Sequence, residues 1–349
     1  MLGARRVGFD RTHMPHVFVI AEAGVNHNGS IDLALKLVDA AKAAGADAVK
    51  FQTFRAERLA TRSAHKAAYQ ERTTAEAESQ FEMLQRLELD AEAHRHIIEH
   101  CRKRKIQFLS SPFDAQSADL LEEMDLPLYK VPSGEITNAP FLEHIAKKGR
   151  PIILSTGMST LGEVEEAVRV LKDAGAKQLT LLHCVTEYPA PYDEVNLRAM
   201  KTLKCAFGLP VGYSDHTPGI EIAIAAVAMG AEVIEKHFTL DRSLPGPDHA
   251  ASLEPEELER MVTAIRHVEA ALGDGIKTPA KCELPNISVA RKSVVASRSL
   301  RTGHKLERAD LDIKRPGNGI VPKLLPALIG RRLRTAIQKD QVISWDHLA

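Results

Sequence analysis

Short apolar runs alternate with amphipathic stretches along most of this chain. Between residues 17 and 272 eight runs of β-branched or aromatic character recur: VFVIAEAG, AVKFQTF, IQFLSSPF, LYKVPSGE, PIILSTGM, LTLLHCVTEYP, VGYSDH and VIEKHFT. Runs of this kind suit parallel strands covered by helices on their outer face. The stretches between them have a helical period. SIDLALKLVDAAKAAGA brings Leu33, Leu37 and Ala40/Ala41 to one face, with Ser30 as N-cap and Gly45 as the stop. STLGEVEEAVRVLKDAGA repeats the arrangement: Ser159 or Thr160 caps, Val164, Val168 and Leu171 form the stripe, and Gly175 ends it. EPEELERMVTAIRHVEAALG follows the eighth run. The segment Arg55 to Gln80 is longer and more polar, and reads as an extended loop after the second strand.

Eight successive βα units over roughly 255 residues predict an α/β fold of the (β/α)₈, or TIM, barrel type. A doubly wound open sheet is the alternative. It is weakened by AEAGVNHNGS after the first strand, where a G-x-G-x-x-G turn would be expected. The rhythm stops after Gly273. GDGIKTPAKCELPNISVARK has the Pro and Gly content of a linker, and what remains is β-rich, turn-rich and basic. About sixty residues make a marginal core, so this piece is expected to dock on the barrel or on a neighbouring subunit. The expected organisation is a barrel domain over 1–274, a linker over 275–289 and a small β-rich domain over 290–349.

Composition narrows the function. Lys plus Arg equals Asp plus Glu at 46 each, which leaves no overall electrostatic footprint for nucleic acid, although a local basic site for a small anion remains open. No apolar segment precedes residue 17 as a secretory leader would require. The run IEIAIAAVAMGAEVI is interrupted by Glu221 and Glu232 and is too short for a bilayer, so no membrane association is expected. Cys101, Cys184, Cys205 and Cys282 show no C-x-x-C spacing, which suits reduced thiols in a cytoplasmic protein.

In a barrel, chemistry belongs at the C-terminal ends of the strands. VGYSDHTPGI alone reads as a turn, but every strand ends in polar residues: Glu22, Lys50 with Gln52, Ser110/Ser111, Lys130 with Ser133, Ser155, His183 through Tyr188, Ser214 with His216, and His237. Lys50 and Lys130 lie inside apolar strands, where an ammonium needs an anionic partner. Either alone could form a structural ion pair. Together with Ser111, Ser133, Ser155 and Ser214 they suggest a phosphate or carboxylate site. His216 and His237 end adjacent strands and could converge on one divalent ion, with His183 as a third ligand or a donor behind the ligands. Two imidazoles plus carboxylate and water suit Mn²⁺ or Mg²⁺, not a closed structural zinc. Glu22 reads either as the partner of Lys50 or as an acid/base and hydroxyl anchor. Asp248 sits on the loop after strand eight, able to close over a substrate, and Tyr188 presents a phenol near the mouth.

These stretches resemble the sialic acid synthase family, phosphoenolpyruvate-condensing enzymes that make nonulosonic acids. The similarity runs from FVIAEAGVNHNGS through VKFQTF, LSSPFD, YKVPSGE, LSTGMST, LLHCVTEYPAPYDEVNL, GYSDHT and EKHFTLDRSLPGPDH to KRPGNGI. The C-terminal piece resembles the family's antifreeze-like (SAF) domain. The resemblance implies a homodimer in which each subunit swaps its SAF domain over the partner's barrel. Lys50, Lys130, Ser133 and Ser214 would hold phosphoenolpyruvate, with Ser111 in a position often filled by threonine. His216 and His237 would ligate the metal, Mn²⁺ first, with Mg²⁺ or Co²⁺ as alternatives. Glu22, Gln52, Tyr188 and Asp248 would contact the acetamido sugar, and Arg315 would reach into the neighbouring subunit's site.

Two departures stand out. Thr186 occupies a position where some members carry an asparagine, with Glu187 after it, and Pro132 replaces a commoner small residue. The implied chemistry is attack of the phosphoenolpyruvate methylene on C1 of an open-chain sugar polarised by the metal, capture of C2 by water, and loss of phosphate by C–O cleavage. N-acetylmannosamine would give N-acetylneuraminate, and 2,4-diacetamido-2,4,6-trideoxymannose would give legionaminate. A metal-dependent barrel hydrolase and a non-catalytic sugar- or anion-binding protein are readings from other classes. Neither uses the whole set of lysines, serines and histidines.

Overall fold

The computed structural model describes residues 16–74 and 78–349. Its contacts divide the chain into two compact units, the first ending at Gly273 and the second spanning Asp274–Ala349.

The first unit is built on eight parallel strands: β1 (Phe18–Gly24), β2 (Ala48–Thr53), β3 (Gln107–Pro112), β4 (Tyr129–Val131), β5 (Ile152–Ser155), β6 (Leu179–Cys184), β7 (Val211–Asp215) and β8 (Val233–His237). Their hydrogen-bonded order is β3-β2-β1-β8-β7-β6-β5-β4, and β3 packs beside β4 to complete the ring. Helices intervene between successive strands, as the parallel connections require. Ser30 caps the helix Ile31–Ala43, and Thr160 caps Leu161–Asp173 with a reciprocal bond from Glu163.

Strand alternation divides the side chains between two environments. Outward residues such as Val19, Val49, Tyr129, Leu154, Tyr213 and Ile234 join the large core beneath the helices. Inward residues Ile20, Ala48, Leu109, Leu128, Ile153, Leu182 and Val233 form a separate apolar cluster inside the ring. Gly212 belongs inside as well: a Cβ there would collide with the Val233 carbonyl, so only glycine lets β7 and β8 approach so closely. Two residues further along, the next inward layer is polar on every strand but β6, which contributes Cys184.

The segment after β2 is not a plain loop. It contains helices Ala56–Leu59 and Ala68–Thr73, and leads into a third, Gln80–Leu87, capped by Ser79. The helix Ala68–Thr73 buries no residue, so it has no apolar stripe by which periodicity could reveal it.

The second unit pairs β9 (Ser293–Ala296) with antiparallel β10 (Leu311–Lys314) around a small core that includes Val294, Leu306, Leu311, Leu328 and Ile343. The expected linker is partly helical, with an exposed helix at Leu284–Ala290. No helix among the described residues is long and apolar enough to cross a membrane.

Candidate active site

A cavity of about 340 Å³ opens above the apolar cluster in the ring. Its lining includes Glu22, Lys50, Gln52, Ser111, Lys130, Ser133, Ser155, Thr186, Tyr188, Ser214, His216, His237 and Asp248. Strand register explains the convergence. Glu22 lies beside Lys50 on one neighbour and beside His237 on the other, and Ser214 lies beside Glu235.

The lower part is an ion network. Lys50 Nζ is 2.6 Å from Glu22 Oε2 and 3.5 Å from Glu235 Oε2, and it donates to Ser111 Oγ at 3.0 Å. Lys130 Nζ is 3.0 Å from Glu235 Oε1, which also accepts from Ser214 Oγ at 2.9 Å. Glu235 is therefore shared by both lysines. Glu235 is absent from the residues expected from sequence, although it stands two positions before His237 on the same strand. The spacing itself was the available signal, since residues two apart on a strand face the same side.

Burial and charge set the protonation of these groups. Burial raises the Glu22 carboxyl to about 7, against the opposing pull of Lys50. Burial acts the same way on Glu235, but Lys130 and Lys50 outweigh it and hold that carboxyl well below the usual range. Burial opposes the charge of Lys50, and Glu22 with Glu235 raises its pKa nonetheless.

The upper part carries the imidazoles. The His216 and His237 rings are 5.6 Å apart, and the Tyr188 ring lies 4.2 Å from the first and 5.5 Å from the second. His216 Nδ1 donates to the Val185 carbonyl at 2.5 Å, which turns Nε2 toward Ser214. Burial lowers the pKa of His216 to about 4 and that of His237 well below its ordinary value, so both rings are neutral. Asp248 Oδ2 is 3.7 Å from His237 Nδ1, and burial raises its carboxyl to about 6.

A divalent ion is compatible with this end. His237 Nδ1 is buried with no hydrogen-bond partner among the described residues, and His216 has the fixed tautomer of a ligand whose other nitrogen is tied to a carbonyl. No group of three or more His, Cys, Asp or Glu side chains suited to a metal occurs among the described residues. A divalent ion held here would take two imidazoles from the protein, leaving its other coordination positions open.

Ser155 Oγ and Thr186 Oγ1 are likewise buried without partners among the described residues. Ser133 Oγ accepts from the Gly157 N–H at 2.9 Å and lies 3.2 Å from Cys184 Sγ. A Cβ at Gly157 would collide with Thr186 Oγ1 and come within 2.9 Å of both Ser133 Oγ and Cys184 Sγ.

Two expectations from sequence need correction. His183 faces outward: its Nε2 bonds the Val195 carbonyl at 2.7 Å and its ring packs on Tyr213, so it is not part of the histidine pair. Ser110 also faces outward, bonded to Thr53. In each case the neighbour one residue on, Cys184 or Ser111, points inward. Arg315 belongs to the second unit, where it is exposed just after β10.

The segment after β2 adds residues that sequence reading left out. The Tyr69 ring lies 5.0 Å from that of Tyr188, and Thr73 Oγ1 donates to the Pro247 carbonyl at 3.4 Å. Val25, Leu59, Met83, Leu84, Leu87 and Phe113 belong to one apolar cluster and also line the cavity.

Comparison with known proteins extends this picture. The NeuB family model matches residues 37–277, and the SAF domain model matches 291–349. The chain is 54% identical to the N,N'-diacetyllegionaminic acid synthase of Campylobacter jejuni over 95% of its own length and 99% of that protein's. It is 48% identical to the Legionella pneumophila protein of the same name, covering 95% and 94%. Among solved structures, N-acetylneuraminic acid synthetase from Leptospira borgpetersenii, in complex with citrate, superposes with a TM-score of 0.69 at 38% identity, covering 78% of this chain and 90% of that one.

Proposed function

The chain belongs to the NeuB family and carries a SAF domain, and from that premise we infer that it condenses phosphoenolpyruvate with an open-chain acetamido aldose to give a nonulosonic acid and phosphate. The observation that carries the reading is that Lys50 and Lys130 line one cavity with His216 and His237. A hydrolase would use the histidines and leave the lysine and serine layer without a role.

In this reading the two ammonium groups neutralise the phosphate and carboxylate of phosphoenolpyruvate, and Ser111, Ser133, Ser155 and Ser214 satisfy the remaining oxygens. The Thr186 hydroxyl serves where relatives use an amide. Glu235 holds the two lysines apart and oriented before the anion arrives. His216 and His237 hold a divalent metal (Mn²⁺, with Mg²⁺ or Co²⁺ as alternatives), which when bound supplies Lewis-acid polarisation of the aldehyde. The enol methylene forms the bond to C1, water adds to C2, and the C2–O bond to phosphorus breaks last. Glu22 stands beside Lys50 to pass protons between water and the former aldehyde oxygen. Gln52, Tyr188 and Asp248 orient the sugar.

The sugar is proposed to be 2,4-diacetamido-2,4,6-trideoxymannose. Its methyl and second acetyl group suit the apolar cluster at the cavity wall better than the hydroxymethyl and hydroxyl of N-acetylmannosamine do, and two relatives at 48% and 54% identity are N,N'-diacetyllegionaminic acid synthases. Arg315 is proposed to reach this sugar's acylamino end from a second copy of the chain.

The test is phosphate release in the presence of Mn²⁺ with phosphoenolpyruvate alone, with each sugar alone and with the pair, followed by product mass. Release that needs both substrates is the expected result. Release from one substrate alone would return the hydrolase reading, and a higher kcat/KM for N-acetylmannosamine would reverse the sugar assignment.

A further inference from the structure

Behind the two imidazoles, on the helix-facing side of the sheet, lies a buried ion pair that the proposed chemistry does not use. Asp215 and Lys236 are direct neighbours across β7 and β8, and both side chains are 0% exposed. Lys236 Nζ donates to Asp215 Oδ2 at 2.7 Å and to the Thr217 carbonyl at 2.5 Å. Asp215 Oδ1 in turn accepts from the Thr217 N–H at 2.9 Å and its hydroxyl at 2.8 Å. His216 is the residue between Asp215 and Thr217, and His237 directly follows Lys236. One ammonium thus fastens both residues that flank the first imidazole and is joined through the backbone to the second.

Stability alone does not account for this arrangement. Burying two charges is costly, and well-packed apolar residues in their place are often as stabilising or more so. Outward positions elsewhere on the ring are filled that way, for instance Ala21, Val131, Leu154 and Ile234. What the ion pair adds is direction. It fixes the turn at the end of β7 relative to the end of β8, and strand alternation passes that constraint to the inward side chains next in sequence.

We propose that the Asp215–Lys236 pair is a positioning device that sets the separation of His216 and His237 so that both can ligate one divalent cation. The proposal rests on the reading of those histidines as metal ligands given above. Outer groups that orient ligating histidines characteristically affect metal affinity without touching the metal.

The experiment is Mn²⁺ titration of the full-length protein without either substrate, read by electron paramagnetic resonance of free Mn²⁺, with metal-free phosphoenolpyruvate binding measured by calorimetry. The double variant D215N/K236M removes both charges together and strands neither. Its thermal midpoint is expected close to wild type and its phosphoenolpyruvate affinity unchanged, while Mn²⁺ affinity falls about tenfold or more. A folded double variant that binds Mn²⁺ as tightly as wild type overturns the proposal. Should the double variant fail to fold, Thr217→Val keeps the ion pair and removes one hydrogen bond to Asp215. A loss of about threefold in Mn²⁺ affinity is then expected, and no loss is equally fatal. Wild-type protein that binds no Mn²⁺ removes the metal reading of the histidines, and the proposal with it.

Discussion

Two ammonium groups share one carboxylate in the polar layer of the ring, so its removal leaves both undercompensated. Glu235→Gln is expected to cost about 3 kcal/mol of stability, the scale for breaking a buried pair from one side. Phosphoenolpyruvate bound as proposed would supply the missing negative charge, so it should raise the melting temperature of this variant more than that of wild type. Scanning calorimetry with and without the anion checks this, and equal shifts would mean that the lysines do not depend on Glu235. A second residue-scale expectation concerns His27, a fully buried ring whose Nδ1 accepts from the Gly29 N–H at 3.0 Å. Burial lowers its pKa from 6.5 to about 3. The unfolded chain therefore binds a proton between those values that the folded chain refuses. Stability from this group is complete above pH 6.5 and declines toward pH 3, by about 1.4 kcal/mol per pH unit. Urea unfolding at pH 7 and pH 5 should show a smaller difference in His27→Gln than in wild type, and an equal difference would show that His27 titrates normally in the fold.

At the scale of elements, the strands were the legible part. Each apolar run in the sequence became a strand, and the polar strand ends do share a cavity, because a closed parallel ring forces strand C-termini to one side. What remained hidden followed from two physical facts. Inward and outward positions alternate, so a list of polar strand-end residues that ignores phase admits His183 and Ser110 and omits Glu235. A six-residue helix with no buried face, such as Ala68–Thr73, leaves no periodic trace at all. That helix nonetheless brings Tyr69 against Tyr188. Tyr69→Ala is expected to raise the sugar KM several-fold, about 1 kcal/mol of lost aromatic contact, and to leave the phosphoenolpyruvate KM unchanged, because the anion's proposed partners lie on the strands beneath. Steady-state kinetics in each substrate would decide, and equal effects on both KM values would place Tyr69 outside the sugar's reach.

At the scale of the molecule, the sequence pattern marks where the barrel rhythm stops but carries no trace of assembly, which would depend on surfaces that no single-chain periodicity encodes. The proposed exchange of SAF domains has a direct genetic test. Arg315→Ala and His216→Ala chains should each be nearly inactive alone. Refolded or co-expressed together they should recover a substantial share of wild-type phosphate release, since one site of each mixed dimer would then receive an intact barrel and an intact Arg315. Mixtures no more active than their components would refute the exchange. The apolar cluster of Ile20, Leu109, Leu128, Ile153, Leu182 and Val233 carries its own consequence for turnover. It closes the ring beneath the polar layer that lines the cavity. On the reading proposed above, cargo resting against the lysines goes in before the sugar, and the phosphate it leaves behind follows the nine-carbon acid out.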